Sequence, residues 1–283
     1  MSYAQRRALK ARIRELDKKY LGGFLSRLYR KPKAGAEEKT ELASADGVSA
    51  LKEIERQIAL PIPSDQLLKR VELIILKYKD PEVETECAKR LIENTEWPYK
   101  LVFWDNRAGV KNMGKIWNKL IRESTCDFVA LIDSDAFVPK LEPCWLTRCM
   151  RTFEKFPECS AVSPKLTRIG MAQQKADYSE DKPPEKAVDE FANTCCVFKK
   201  EVFEKTGYYD ENFLIYGADS EWAARFIWKN EVGYLLPDVL VEHVHHHSAK
   251  KAGARQEYNR EAEAEYAKNL YYQKIKTYEQ KHD

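Results

Sequence analysis

The stretch Phe128-Val-Ala-Leu-Ile-Asp-Ser-Asp-Ala-Phe-Val-Pro139 constrains this chain more than any other. An apolar run from Phe128 to Ile132 ends in two carboxylates, Asp133 and Asp135, one residue apart. A short apolar run closed by polar residues and Pro reads as a strand buried on both faces of a parallel sheet. In an open α/β sheet, ligands bind beyond the carboxyl ends of the strands, and both acids stand at that end. Two acids so close repel unless a cation neutralises them. Hard divalent ions such as Mg²⁺ or Mn²⁺ take carboxylate oxygens and share them with a substrate's phosphates. The pair therefore suits a metal–diphosphate site at a strand tip. Standing alone, Asp-Ser-Asp is more often an ordinary turn, so the neighbouring segments decide.

Those segments alternate in type. Residues 71–78 (VELIILKY) read as a first strand, and Asp80-Pro81 as the N-cap and first position of a helix running to about Asn94. Residues 101–104 read as a second strand, ending in Asp105-Asn106, and residues 112–123 as a second helix. With 128–132 as the third strand, the order implies right-handed βαβ units and a parallel sheet. Further on, the pattern predicts a helix over 145–156 and a strand over 160–166. A polar loop follows over 170–187, with Pro183-Pro184, suited to a lid. Strands over 191–198 and 233–241 flank a helix over 220–229, and a long helix lies within 256–282.

A chain of 283 residues accommodates one large α/β domain with appendages. No stretch is long and apolar enough to span a bilayer. The first 33 residues are basic rather than apolar, unlike a secretory signal. The seven cysteines are odd in number and form no C-x-x-C pair, which speaks against a zinc site or a disulfide framework and for a reducing compartment. The expected location is cytoplasmic, with peripheral membrane contact as an extension of it.

The net charge of +3 hides an asymmetry. Residues 1–33 hold eleven Lys and Arg against Glu15 and Asp17, a net +9, which leaves −6 for the remainder. Within residues 2–30, Leu9, Ile13, Leu16, Tyr20, Phe24 and Leu28 recur at helical spacing between the basic residues. A basic amphipathic helix suits an anionic membrane surface, a nucleic-acid backbone, or the chain's own core. The expected division is a basic helical extension and linker over 1–63, a catalytic domain over 64–248, and a helical tail over 249–283.

The order of motifs over about 71–248 resembles the family 2 glycosyltransferases, which have the GT-A fold. The resemblance is carried by VELIILKYKDPEV, by Phe103-Trp-Asp-Asn106, by the helix bearing Gly114 and Asn118, and by Asp133-Ser-Asp135. It continues through Gly207-Tyr-Tyr-Asp-Glu-Asn-Phe213, Ile215-Tyr-Gly-Ala-Asp-Ser-Glu-Trp222, and the run from Pro237 through His243 to Ser248. One departure is plain: Ala218 stands where the family usually has Glu in a Glu-Asp pair.

The resemblance implies a GT-A, Rossmann-like fold: a mixed, mostly parallel sheet flanked by helices, with helical extensions at both ends. It implies metal-dependent transfer of a sugar from a UDP-, GDP- or TDP-sugar to an acceptor hydroxyl, with inversion. Asp135 is then a direct ligand of Mn²⁺ or Mg²⁺, Asp133 a ligand through water or a ribose contact, and His243 the third metal contact. Asp219 is the general base, with Glu221 the alternative. Tyr78, Asp105, Asn118 and Ser248 face the nucleotide sugar. The acceptor is open: glycan, lipid-linked sugar, protein or modified nucleic acid.

Two rival classes remain. A nucleotidyltransferase is expected to carry a Gly-rich basic loop after its first strand, where this chain reads Lys77-Tyr-Lys-Asp-Pro81 without Gly. A non-catalytic nucleotide-sugar-binding scaffold gains a little from Ala218 and loses by the presence of Asp133, Asp135, Asp219 and His243.

Overall fold

The computed structural model describes residues 70–77, 80–106, 112–175, 178–188, 191–244 and 260–282. The basic extension over 1–63, Tyr78, the His245–His247 run and Ser248 lie outside the described residues.

Strand β1 (Val71–Lys77) is buried at all seven positions, as its near-continuous apolar sequence requires of a central strand. It pairs in parallel with β2 (Tyr99–Asp105) on one side and β3 (Phe128–Asp133) on the other. Helix α1 (Pro81–Glu93) joins β1 to β2, with Pro at its start, where a missing N–H does no harm. Helix α2 (Met113–Glu123) joins β2 to β3; the Asn112 side chain caps it by accepting from the Lys115 N–H at 2.8 Å.

Alternation along the strands divides the core into two layers. Val71, Leu73 and Ile75 pack with Cys87 and Leu91 of α1. Ile74 and Leu76 point the other way, onto Ile116, Trp117, Leu120 and Ile121 of α2. The two connections thus lie on opposite faces, as right-handed crossovers in opposite directions demand. The direction reverses between β1 and β3. That switch point is where open α/β sheets bind ligands, and Asp133 ends β3 beside it.

Beyond β3 the sheet changes character. Its order is β2-β1-β3-β7-β5-β8-β4, with β6 pairing onto β8. Here β4 is Ala136–Phe137, β5 Cys159–Leu166, β6 Glu185–Lys186, β7 Cys195–Lys199 and β8 Val232–His243. Strand β7 runs antiparallel between β3 and β5, while β5 and β8 are parallel. The long pairings are the parallel ones, so the sheet is mixed but mostly parallel. Helix α3 (Trp145–Lys155) covers the first layer with Trp145, Leu146, Cys149 and Phe153. On the second layer, α4 (Val202–Thr206), α5 (Ala218–Trp228) and α6 (Arg260–His282) gather around Trp222, Phe203 and Phe226. Among the described residues, no helix is long and apolar enough to cross a membrane.

The segment read as a lid is fastened over much of its length. Gln174, fully buried, donates to Ser163 Oγ and Ala192 O and accepts from the Ala192 N–H. The buried Lys165 ammonium meets Gln173 O and the Glu185 carboxylate, and β6 bonds to β8.

Candidate metal and transfer site

The acidic strand tip is closed by strand pairing. After β3, the chain turns at Ser134-Asp135 into β4, which bonds antiparallel to the end of β8 with Ala136 opposite His243. The Val244 N–H donates to Asp135 O at 3.0 Å. This register sets His243 Nε2 3.4 Å from Asp135 Oδ1. One ligand atom from each of Asp133, Asp135 and His243 lies within 4.8 Å of the others. The two acids and the imidazole that were separate motifs in the sequence are one cluster in the fold.

The surroundings orient that cluster. His243 Nδ1 lies 2.6 Å from Arg168 O, a carbonyl that can only accept, so Nδ1 carries a proton and Nε2 faces the acids. The His243 backbone N–H donates to Thr167 Oγ1 at 2.9 Å. The Asp133 N–H donates to Thr194 O at 2.9 Å, and the Thr194 hydroxyl bonds the Asp133 carboxylate. Beneath the turn, the buried Cys87 thiol donates to Ala136 O at 3.2 Å.

The electrostatics call for a cation. Burial, and then the charge of Asp135, push the Asp133 carboxyl up to about 6. Burial works against charge on His243, yet the Asp135 and Asp133 carboxylates raise its pKa above the ordinary value. A proton on this cluster relieves its repulsion, and a divalent cation does so better. Two carboxylates and a neutral imidazole are a donor set that suits Mn²⁺ or Mg²⁺ with water and phosphate completing the shell. The residues present therefore fit the metal expected.

Asp219 stands in the first turn of α5, after Gly217, whose φ of +83° makes the sharp entry into the helix. It is half-buried, accepts from the Ser220 N–H at 2.9 Å and from the Asn193 N–H, and is raised by burial. Its charge also raises Asp133. The Asn193-Thr194 segment thus touches both carboxylates: the Asn193 N–H holds Asp219 and the Thr194 hydroxyl holds Asp133. Periodicity put a strand over this segment, whereas β7 begins only at Cys195, so the pattern concealed both contacts.

Glu221 has a different fate. It is fully buried, its carboxylate bound by Arg225 Nε at 2.7 Å and Nη2 at 2.9 Å, and by the Tyr278 hydroxyl at 2.7 Å. A carboxylate so paired and enclosed is a structural counter-ion, which leaves Asp219 as the open acid of the two. Asn118 is also engaged: its amide donates to Tyr209 O and Glu211 Oε1 and accepts from the Tyr209 N–H. It ties α2 to the segment leading to Asp219. Asp105 is exposed at the carboxyl end of β2, opposite Lys77 at the end of β1. Trp222 is a core residue whose indole N–H donates to Gly207 O.

No protein-family model matches the chain, nor does any curated protein. Among solved structures, it is similar to GalNAc-T7, crystallised with UDP, GalNAc and Mn²⁺, at 12% identity and a TM-score of 0.45 over 63% of this chain and 44% of that one. It is also similar to residues 1–349 of S. aureus TarS, at 12% identity and 0.46 over 64% of this chain and 62% of that one. The same TarS fragment in complex with UDP gives 13% and 0.46, over 61% and 60%. In each case the match spans less than two thirds of the other chain. Likeness of that order says nothing of activity, which has to come from the side chains.

Proposed function

We propose that this protein is a divalent-metal-dependent glycosyltransferase, moving a sugar from a nucleoside-diphosphate sugar to an acceptor hydroxyl with inversion at the anomeric carbon. The observation that carries the reading is the convergence of Asp133, Asp135 and His243 within 4.8 Å at the sheet's switch point, electrostatically coupled to the open acid Asp219.

Asp133, Asp135 and His243 would hold Mn²⁺ or Mg²⁺, which when bound would supply Lewis-acid stabilisation of the charge gained by the leaving diphosphate. Arg168 O and Thr167 hold the imidazole, and Thr194 holds Asp133. Asp105, at the end of β2 with β1 between it and β3, meets the nucleoside. Asp219 takes the proton of the attacking hydroxyl. Burial raises its proton affinity, which suits a general base working near neutral pH. The N–H groups of Ser220 and Asn193 aim it. A single base and a single displacement invert the anomeric centre.

The test is incubation with UDP-, GDP- and TDP-sugars, in Mn²⁺ or in EDTA, reading nucleoside diphosphate release. Metal-dependent release from one donor is expected, and Asp135→Ala should lower it by about a hundred- to a thousandfold. If no donor is turned over and none shifts the melting temperature, the transferase reading falls and a binding scaffold takes its place.

A further inference from the structure

We infer that the C-terminal helix α6 belongs to the transfer apparatus, with Lys274 and Tyr278 as positioning residues that fix the segment carrying Asp219. The inference rests on Asp219 being the base proposed above.

The grip brackets Asp219 on both sides. Lys274 Nζ lies 2.6 Å from Asp210 Oδ2, ahead of it in the chain. Tyr278 donates to Glu221 Oε1 at 2.7 Å, two residues beyond it, and its ring meets Trp228 edge-on at 4.8 Å. Between these ties, Ala267 packs against Gly217: a Cβ added to that glycine would lie 3.6 Å from the Ala267 Cβ. Each tie passes inward. Asp210 accepts from the Asn212 N–H and side-chain amide at 2.9 and 2.6 Å. Glu221 pairs with Arg225, whose guanidinium donates to Thr206 O and Tyr208 O, both at 2.7 Å. The path from α6 through Glu221 and Arg225 returns to the turn at Gly207, where φ is +84°.

This pattern differs from that of a helix retained for its core. Among the described residues of α6, Ala267 alone is buried. Leu270 and Tyr271 add partly buried packing against the second layer, while the short polar ties of Lys274 and Tyr278 land on the segment around Asp219. A base displaced by about an ångström loses on the order of a hundredfold in rate, so a fastening of this kind acts on turnover more than on binding.

The test compares the wild type with Tyr278→Phe, Lys274→Ala and Lys274→Arg. The readouts are nucleoside diphosphate release from the donor the wild type turns over, with water as acceptor, together with donor KM, Mn²⁺ affinity and Tm. Tyr278→Phe and Lys274→Ala should lower kcat by about tenfold to a hundredfold, with donor KM and Mn²⁺ affinity unchanged. Lys274→Arg, which keeps the cation, should restore most of the rate. The inference is overturned if kcat stays at the wild-type level, if kcat and Mn²⁺ affinity fall together in step with Tm, or if Lys274→Arg is no better than Lys274→Ala. A wild type without turnover removes the transferase reading and this inference with it. Turnover that is indifferent to the variants removes the inference alone.

Discussion

The proposed metal corner and the proposed base corner of this site are built by different means. Asp133, Asp135 and His243 are delivered by strands, and the pairing of Ala136 with His243 decides which side chains meet. Asp219 opens helix α5, and the segment leading into that helix is pinned by side chains: Asn118 on Tyr209, Arg225 on Thr206 and Tyr208, Lys274 on Asp210. A ladder is a cooperative backbone object and tolerates side-chain changes nearby. A pinned segment depends on each pin. The two corners should therefore answer differently to substitution.

The sharpest separation comes from Asp219→Asn, which keeps the shape and removes the base. It should lower kcat by about 10²- to 10⁴-fold, with Mn²⁺ affinity at the wild-type level. A parallel loss of metal binding would mean the corners are one unit. Next is Thr194→Val, which removes the hydroxyl holding Asp133. Partners of metal ligands are typically worth about ten- to a hundredfold in affinity. Titration should show a loss of that order in Mn²⁺ binding, and unchanged metal binding would count against Asp133 as a ligand.

The smallest effect is one of pH on the metal-free protein. Asp133 is raised from 3.8 to about 6, and His243 is raised above 6.5. Both groups bind protons more tightly folded than unfolded. Their stabilisation is complete below the ordinary carboxylate range and is lost as pH rises through about 6 and beyond. A cation takes over the protons' role. The rise in melting temperature on adding Mn²⁺ should therefore be small at pH 5 and grow above pH 6. A rise independent of pH would contradict binding at this cluster.

The metal corner was largely legible in the sequence because buried parallel strands are short apolar runs, and helix starts such as Asp80-Pro81 and Asn112 punctuate them. Strand β4 was not, since two residues carry no periodicity. The base corner was legible only as motifs. Nothing local separates Asp219 from Glu221, two residues apart at the start of one helix. The distinction is made by Arg225 one turn on and by Tyr278 far along the chain. The spacing of Glu221 and Arg225, four apart on a helix, was the one available cue. Thr194 and Asn193 were hidden because their segment leaves the strand that its composition suggests. A polar loop pattern does not reveal Gln174, whose burial depends on contacts with Ser163 and Ala192.

The two-residue bridge between β4 and β8 also sets a clock. Asp135 lies in the turn between β3 and β4, more than a hundred residues ahead of His243, which ends the last long strand. Such distant contacts form late, after the entropy of closing the intervening chain has been met. Strands β1 to β3 alone carry Asp133, but neither the β4–β8 pairing beside Asp135 nor the imidazole. On the proposed reading, a divalent cation would bind the finished sheet in preference to any partial one, and by mass action would draw the population toward it. The ion proposed for the chemistry would then act also as a check on completed folding.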